Sequence, residues 1–296
     1  MGVLKMVCIA FALLSMIGGA LAQAPTDYSK VEIKTDKIAP NFYVLNGSGG
    51  AIGVLAGPDG VLMVDSQFAP LTSKIIAAVK QISNEPIRFL INTHVHPDHT
   101  GGNENLGKMG VVIFAREELR NRLAHPATGT PAPTAALPVV TYSSPLTFHM
   151  DGEDVQAIPI PKAHTDGDTL VYFPNNNVIM IGDFVRTIQY PNIDRANGGS
   201  LNGMLAGIDA AIKLCNAQTK VVPGHGDATD RIGLINHRDM IIAIRDKIAP
   251  LVAQGKTLQE VMAAKPTADF DAKVPQSDTT IERFVTQVYA ELKAGK

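Results

Sequence analysis

The sequence HVHPDH at residues 94–99 decides the fold and the chemistry expected of this chain. The β-like stretch FLINT at residues 89–93 leads directly into it, and Gly101 and Gly102 follow closely. The run predicts a β-strand, so the motif lies at the carboxyl end of a strand, where open α/β sheets usually place their ligand sites. Imidazoles beside a carboxylate are typical ligands of a catalytic zinc or iron ion. The stretch therefore predicts a metal-binding loop with four candidate ligands: His94, His96, Asp98 and His99.

The composition indicates a globular chain and argues against a nucleic-acid partner. The 296 residues are 45% hydrophobic, which is enough for a large core. The formal net charge is −2, and aromatic residues make up only 5% of the chain. The chain thus lacks the basic field that attracts nucleic acid and has few rings on which bases could stack. We expect a small-molecule substrate.

The amino terminus has the pattern of a cleavable signal peptide. Lys5 provides a positive charge, residues 6–17 are almost entirely apolar, and Ala20-Leu21-Ala22 has the small residues of a cleavage site. The apolar stretch is short for a membrane span, which disfavours a retained anchor. We therefore expect residues 1–22 to be removed. The mature chain, residues 23–296, is expected in the periplasm or outside the cell, with no stable membrane insertion.

Short β-like runs fill the first three quarters of the mature chain, and helical patterns fill the last quarter. Turn residues separate predicted strands at 42–45, 52–55 and 61–64, and an amphipathic helix is predicted over 70–83. A second series of strands follows after residue 145. Two successive β-rich halves with flanking helices predict an α/β (α+β) fold in which two sheets pack face to face between helices.

A catalytic metal needs ligands from several loops, and suitable side chains lie at other predicted strand ends. These are His164, Asp183, which ends an apolar run, and His225, with Asp65 at the end of an earlier strand. Three histidines lack this context and are expected to be surface or ordinary core residues: His125, His149 and His237.

In this ordered set the chain resembles the metallo-β-lactamase superfamily, over essentially all of the mature sequence. The family signature H-x-H-x-D-H is met at residues 94–99, and the later motifs are met at His164, Asp183 and His225. The resemblance implies a four-layer αββα sandwich, with two mixed β-sheets flanked by helices and the site at the edge between the sheets. It also implies a hydrolase domain over residues 23–296 whose helical carboxyl-terminal segment begins at about residue 230.

The resemblance also divides the candidate ligands between two metals. It assigns His94, His96 and His164 to the first metal and Asp98, His99 and His225 to the second, with Asp183 bridging both or binding the second alone. Two Zn²⁺ ions per chain are the expected cofactor, and iron is the less favoured metal. Hydroxide from a coordinated water would cleave a small amide, lactone, ester or thioester, with Asp98 as the catalytic side chain that orients it. Asp65 is expected to brace the histidine loop by hydrogen bonding.

Three further residues are candidates for contact with the substrate. Arg186, one helical turn beyond Asp183, either binds a substrate carboxylate or forms a surface salt bridge. Tyr190 and Asn192 are candidate donors to a developing oxyanion, although a simple turn also explains them.

The substrate class stays open on the sequence. Many secreted β-lactamases of the superfamily have Cys at the position of Asp183, so the Asp favours a general hydrolase while leaving β-lactam hydrolysis open. A mononuclear iron oxygenase of the same superfamily is the alternative in another reaction class. A non-catalytic binding scaffold would have no physical need for seven convergent ligands, and a nuclease conflicts with the charge balance and the expected export.

Overall fold

Two β-sheets lie face to face between layers of helices in the computed structural model, which describes residues 27–295. The signal peptide expected at residues 1–22 lies outside the described residues. The first sheet has seven strands in sequential order. They are β1 (Lys34–Ala39), β2 (Phe42–Asn46), β3 (Ile52–Gly57), β4 (Gly60–Val64), β5 (Ile87–Ile91), β6 (Val112–Arg116) and β7 (Val140–Tyr142). Neighbouring strands from β1 to β4 are antiparallel, and those from β4 to β7 are parallel.

The second sheet has five strands in the order β12-β11-β10-β9-β8. Their bounds are β8 (Leu146–Met150), β9 (Glu153–Ile160), β10 (Asp168–Phe173), β11 (Val178–Arg186) and β12 (Lys220–His225). Only β11 and β12 pair in parallel, and the other neighbours are antiparallel. Both sheets are therefore mixed, because each combines antiparallel neighbours with parallel ones.

Eight α-helices occur in the described part of the chain. They are α1 (Thr72–Ile82), α2 (Pro97–Thr100), α3 (Asn103–Lys108), α4 (Glu117–Ala124), α5 (Leu201–Leu214), α6 (Arg231–Ala253), α7 (Leu258–Ala263) and α8 (Ser277–Ala294). Ser200 and Asp230 cap α5 and α6 by accepting hydrogen bonds from backbone N–H groups in the first turn. No helix among residues 27–295 is long and apolar enough to cross a membrane.

The alternation of side chains along the strands produces three separate hydrophobic cores. In β4, Leu62 and Val64 join the core between the sheets, whereas Val61 and Met63 join the core beneath α1 and α3. In β11, alternate residues likewise divide between the central core and a third core beneath α5, α6 and α8. Because successive strand residues point to opposite faces, strands buried on both sides need apolar residues at nearly every position. The predicted fold class is confirmed.

The structure corrects the predicted end of one strand. Asp183 was expected to end an apolar run, but β11 continues through it to Arg186. The pairing of β11 with β12 shifts register at Gly182, whose φ of 59° is in the left-handed region. Such irregularities redirect the neighbouring side chains. The periodicity of the sequence could not show that the strand extends through the site.

Candidate metal centre

The candidate site lies at one edge of the two sheets. The motif at residues 94–99 follows β5 and continues into the short helix α2. His164 lies on the loop between β9 and β10, Asp183 lies within β11, and His225 ends β12. Both sheets therefore contribute side chains to the same edge, which brings together residues that are far apart in the sequence.

Four side chains form a first cluster, in which the potential ligand atoms all lie within 4.8 Å of one another: His94, His96, His164 and Asp183. His164 Nε2 is 2.9 Å from His96 Nδ1. Asp183 Oδ2 is 3.6 Å from His94 Nε2 and 3.7 Å from His164 Nε2. Three imidazoles and a carboxylate thus converge within the reach of a single ion.

Asp98, His99 and His225 form a second cluster, again with potential ligand atoms within 4.8 Å of one another. His225 Nε2 lies 3.0 Å from Asp98 Oδ2, and His99 Nε2 lies 3.7 Å from the same oxygen. Asp183 reaches this cluster too, because its Oδ1 is 3.3 Å from His99 Nε2 and its Oδ2 is 3.4 Å from His225 Nε2. One carboxylate therefore lies between the two clusters.

Four buried polar atoms of the clusters have no hydrogen-bond partner among the described residues: His94 Nε2, His99 Nε2, His225 Nε2 and Asp183 Oδ1. An unpaired buried polar atom costs about 1–3 kcal/mol, and native proteins rarely leave several in one place. Imidazole nitrogens and carboxylate oxygens are ligands that zinc accepts. The unmet hydrogen-bonding capacity and the donor types both fit metal ions.

Asp65 connects the end of β4 to the histidine loop. Its carboxylate accepts hydrogen bonds from the Thr93 backbone N–H at 2.7 Å and from the Thr93 hydroxyl at 2.6 Å. Its Oδ2 also lies 2.7 Å from His99 Nδ1. This contact leaves His99 Nε2 directed toward the second cluster, which is how a carboxylate commonly orients a metal-binding imidazole.

A second carboxylate with a similar contact was not expected from the sequence. Asp194 Oδ2 lies 2.7 Å from His96 Nε2, so it is Nδ1 of this ring that faces the first cluster. Asp194 also accepts hydrogen bonds from the backbone and side chain of Asn197, which hold it in place. It lies on an irregular loop 98 positions from His96, and no motif marks it. Only the folded chain shows the pairing.

Asp194→Asn is expected to weaken zinc binding by about 10–100-fold, because the amide cannot hold the His96 ring as a carboxylate does. Competition with a chromogenic chelator measures the affinity directly. Asp227→Asn is the matched control, since Asp227 is exposed and its side chain has no hydrogen bond among the described residues. Equal zinc affinity in the two variants would exclude this role of Asp194.

Burial and charge within the clusters favour the protonation states that metal ligands need. Burial lowers the pKa of His94 well below its ordinary value, and the nearby His99 lowers it further. Burial also lowers the pKa of His164, to about 3. Although burial opposes it, the pKa of Asp183 is held well below its ordinary value by the charges of His99 and Arg186. Neutral imidazoles and an ionised carboxylate are the metal-binding forms.

The carboxylates around His99 favour a positive charge at this point of the site. Burial alone would lower the pKa of His99, but Asp183 and Asp65 raise it well above its ordinary value. Burial likewise opposes ionisation of Asp98, yet the neighbouring His225 and the charge of His99 lower its pKa to about 2. The same need for positive charge is met by a bound cation.

A family model decides the relationship of the chain to known proteins. Residues 45–230 match the model of the metallo-β-lactamase superfamily. The chain belongs to the metallo-β-lactamase superfamily. This segment contains all seven candidate ligands.

Several members of the superfamily are similar to the chain in sequence. The linear primary-alkylsulfatase of Pseudomonas sp. is 22% identical over 287 residues, which cover 80% of this chain and 54% of that protein. The chain thus spans about half the length of this relative. The metallo-β-lactamase type 2 of Bacillus cereus is 26% identical over 185 residues, which cover 62% of this chain and 69% of that protein.

Solved structures of the superfamily share the fold. A metallo-β-lactamase from Pontibacter korlensis superposes with a TM-score of 0.60 at 20% identity and covers 71% of this chain and 99% of its own. The stereoselective inverting sec-alkylsulfatase Pisa1 from Pseudomonas sp. superposes with a TM-score of 0.68 at 18% identity. It covers 87% of this chain and 50% of its own. At these identities the likeness establishes the fold alone.

Arg186 lies in a different structural element from the one that the sequence predicted. It was expected one helical turn beyond Asp183, but both residues lie on β11. Its guanidinium donates from Nη2 to Asp183 and from Nη1 to Gln189 Oε1, and only 11% of the side chain is exposed. Of the two predicted roles, the geometry matches a salt bridge, and this salt bridge is buried beside the clusters. Arg186 thus holds the carboxylate that lies between them.

The two candidate oxyanion donors also lie elsewhere than expected. Tyr190 is fully buried, and its hydroxyl lies 2.8 Å from Asp271 Oδ1 and 3.3 Å from the Thr267 carbonyl, so it does not face the clusters as an oxyanion donor would. Asn192 lies next to the first cluster, where its carbonyl is 2.6 Å from His164 Nδ1. Its side-chain oxygen accepts a hydrogen bond from Gln287. Asn192 therefore orients a candidate ligand, and its binding of substrate stays a prediction.

Two glycines allow the backbone to pass close to the clusters. A Cβ atom on Gly50 would overlap the His99 ring, and one on Gly224 would overlap Asp183 Oδ1. Gly50 lies on the turn between β2 and β3, and its N–H donates to the Asp98 carbonyl at 3.1 Å. These glycines are needed for close approach to the ligands rather than for a positive φ.

Gly50→Ala is expected to displace the His99 ring and to lower zinc binding and turnover by about tenfold or more, as a small misplacement of a catalytic group can. Zinc content after dialysis and kcat/KM on any accepted substrate measure the two effects. Gly295→Ala is the control, because Gly295 has a φ of −83° and a Cβ there would make only an ordinary contact of 3.7 Å with the Glu291 carbonyl. Unchanged zinc content in Gly50→Ala would contradict the prediction.

Proposed function

We propose that the protein is an exported dinuclear zinc hydrolase that cleaves a small amide, lactone, ester or thioester. The observation that carries the proposal is the position of Asp183, which reaches four histidines in addition to Arg186 within one buried site. Such a carboxylate, between two groups of imidazoles, supports a bridging role rather than binding to one metal alone. Membership of a superfamily of hydrolases supports the reaction class.

The residues present would hold two ions. His94, His96 and His164 would bind the first, and Asp98, His99 and His225 would bind the second, with Asp183 between them. When bound, two zinc ions would polarise the scissile bond and lower the pKa of a coordinated water toward neutrality.

Asp98 is the carboxylate best placed to handle the proton of the attacking water. Its side chain is 22% exposed, whereas that of Asp183 is 0% exposed, so only Asp98 reaches the solvent side of the clusters. Its low pKa keeps it ionised and able to accept a hydrogen bond. Asp65, Asp194 and Arg186 hold His99, His96 and Asp183 in place, which reduces reorganisation during the reaction.

A sulfate ester is the second candidate substrate class, and the extent of the similarity favours it. The linear primary-alkylsulfatase of Pseudomonas sp. covers 80% of this chain, against 62% for the Bacillus β-lactamase. The relative named an alkylsulfatase thus matches more of the chain than the one named a β-lactamase.

Metal analysis followed by a substrate panel tests the proposal. The protein is purified without added chelator, its zinc and iron are quantified, and hydrolysis of a β-lactam, a lactone, a thioester and a primary alkyl sulfate is measured. Two zinc ions per chain with hydrolysis of at least one substrate would support it. One iron per chain with oxygen consumption on a thiol substrate would instead establish the oxygenase. Hydrolysis of the alkyl sulfate alone would select the second candidate.

Export is tested separately, because it depends on the sequence of residues 1–22. The full chain is expressed in a Gram-negative host, and the periplasmic fraction is isolated. Sequencing of the amino terminus is expected to begin at Gln23, after cleavage at Ala22. Recovery of uncleaved chain from the cytoplasm would contradict export without affecting the hydrolase proposal.

A further inference from the structure

A cavity of about 660 Å³ borders the end of β11 and the residues that follow it, up to Gln189. None of the seven candidate metal ligands lines this cavity. The end of β11, helix α6 and residues 270–274 form its wall. Its volume is within the range of about 300–1,000 Å³ that is typical of small-molecule sites. The reaction proposed above makes no use of this space.

One part of the wall is apolar. It consists of Val185, Met240, Ala243, Phe270 and Val274. Met240 and Val185 belong to the core beneath the helices, whereas Phe270 and Val274 pack against its margin. A wall of this kind favours the apolar part of a ligand, because burial of apolar area contributes about 25 cal/mol per Å².

The charges around the cavity leave one cation without a partner. Arg186 is neutralised by Asp183, and Asp239 shares Arg238 with Asp209, at 2.8 Å and 2.9 Å. Lys273 is exposed and forms no ion pair with any residue between 27 and 295. Lys273 is therefore the cation of the wall that can pair with an anionic group on the ligand.

His237 adds to the wall of the cavity a polar atom that has no hydrogen-bond partner among the described residues. This atom is Nε2, which is buried. Burial lowers the pKa of His237 to about 4, so the ring is neutral at neutral pH and offers hydrogen bonding rather than charge. A buried polar atom left unpaired favours any ligand that supplies the missing partner.

We propose that this cavity is a second binding site, for an amphipathic monoanion such as a medium-chain carboxylate. The apolar chain would lie against Met240 and Phe270, and the acidic group would lie near Lys273. Arg186 connects this site with the metal centre, because it lines the cavity while its guanidinium holds Asp183. The cavity proposal goes beyond the hydrolase proposal and does not depend on it.

Titration calorimetry of the zinc-loaded protein with decanoate, below its critical micelle concentration, tests the proposal without any turnover. We expect one decanoate per chain. Ala243→Phe, which fills the cavity, should abolish binding, and Lys273→Glu should weaken it about fivefold. Lys213→Glu is the matched control, because Lys213 is exposed on α5 and does not line the cavity. Decanol and decylammonium, which lack the negative charge, should bind more weakly than decanoate.

Binding of decanoate that Ala243→Phe leaves unchanged, or equally tight binding of decylammonium, would overturn the proposal. If Ala243→Phe fails to fold, hydrogen–deuterium exchange on the unmodified protein decides between the outcomes. Decanoate is expected to protect residues 236–243 and 270–274. Protection confined to other segments, or no protection at all, would show that decanoate does not bind in the cavity and would overturn the proposal.

Discussion

Asp98→Asn is expected to lower kcat/KM by about 10²–10⁴-fold while zinc stays bound, the range that a positioned acid–base group contributes. The amide keeps the shape of the side chain and one oxygen, but it cannot accept the proton that the carboxylate accepts. Asp98 is the partly exposed carboxylate of the second cluster, 3.0 Å from His225 Nε2. Steady-state kinetics on the best substrate of the panel, combined with zinc quantification on the same sample, gives both quantities.

Asp227→Asn provides the comparison for Asp98→Asn. Asp227 is an exposed acid two positions beyond His225 and forms no ion pair among residues 27–295. The activity of the Asp227→Asn variant should therefore stay within about twofold of that of the unmodified protein. If the Asp98→Asn variant also lost its zinc, the main role of Asp98 would be to bind metal rather than to accept a proton. Full activity with zinc bound would remove Asp98 from the proposed chemistry and require another proton acceptor.

Removal of zinc is expected to destabilise the protein by about 4 kcal/mol for each site, at a free zinc concentration of about 1,000 times Kd. For a chain of this size the melting temperature should fall by about 7 °C per site. The physical reason is that the unpaired His94 Nε2 and His99 Nε2, together with the Asp183 charge, lose the cation that compensates their burial. Thermal unfolding followed by circular dichroism, with and without a chelator, measures the change.

The effect of the chelator should be reversed by added zinc and should be absent from the double variant His94→Ala/His99→Ala. That variant removes one candidate ligand from each cluster. An unmodified, zinc-loaded protein with the same melting temperature before and after chelation would contradict the proposal that the clusters bind metal in the folded chain.

Much of the fold was predictable because its signals are local. Strands such as β4, whose five residues are all buried, are apolar at nearly every position, and turn residues separate them. The amphipathic pattern predicted over 70–83 corresponds to α1 and the short turn before it. The bounds of β11 were not predictable, because its last residues pair with β12 through an irregular register that depends on the neighbouring strand.

The site was predictable only in part, because some of its residues have local sequence signals and others are defined by contacts between distant residues. The seven candidate ligands have recognisable spacing, and Asp65 follows directly from a strand. Asp194 and Gly50 carry no local signal, since their roles depend on contacts with His96 and His99 that exist only after folding. The sequence left Tyr190 open between an oxyanion donor and a turn residue, and only packing shows that its ring lies in the core beneath α8.

The sequence by itself determined the superfamily resemblance, the order of the layers and the ligand types, because the HVHPDH motif and the strand patterns are properties of neighbouring residues. Tertiary structure alone decided that Asp183 lies between the two clusters and that Arg186 is occupied in holding it. It also decided that His237, expected to be unremarkable, borders a cavity. Distances between side chains from different strands depend on register and packing, and no single stretch of sequence contains that information.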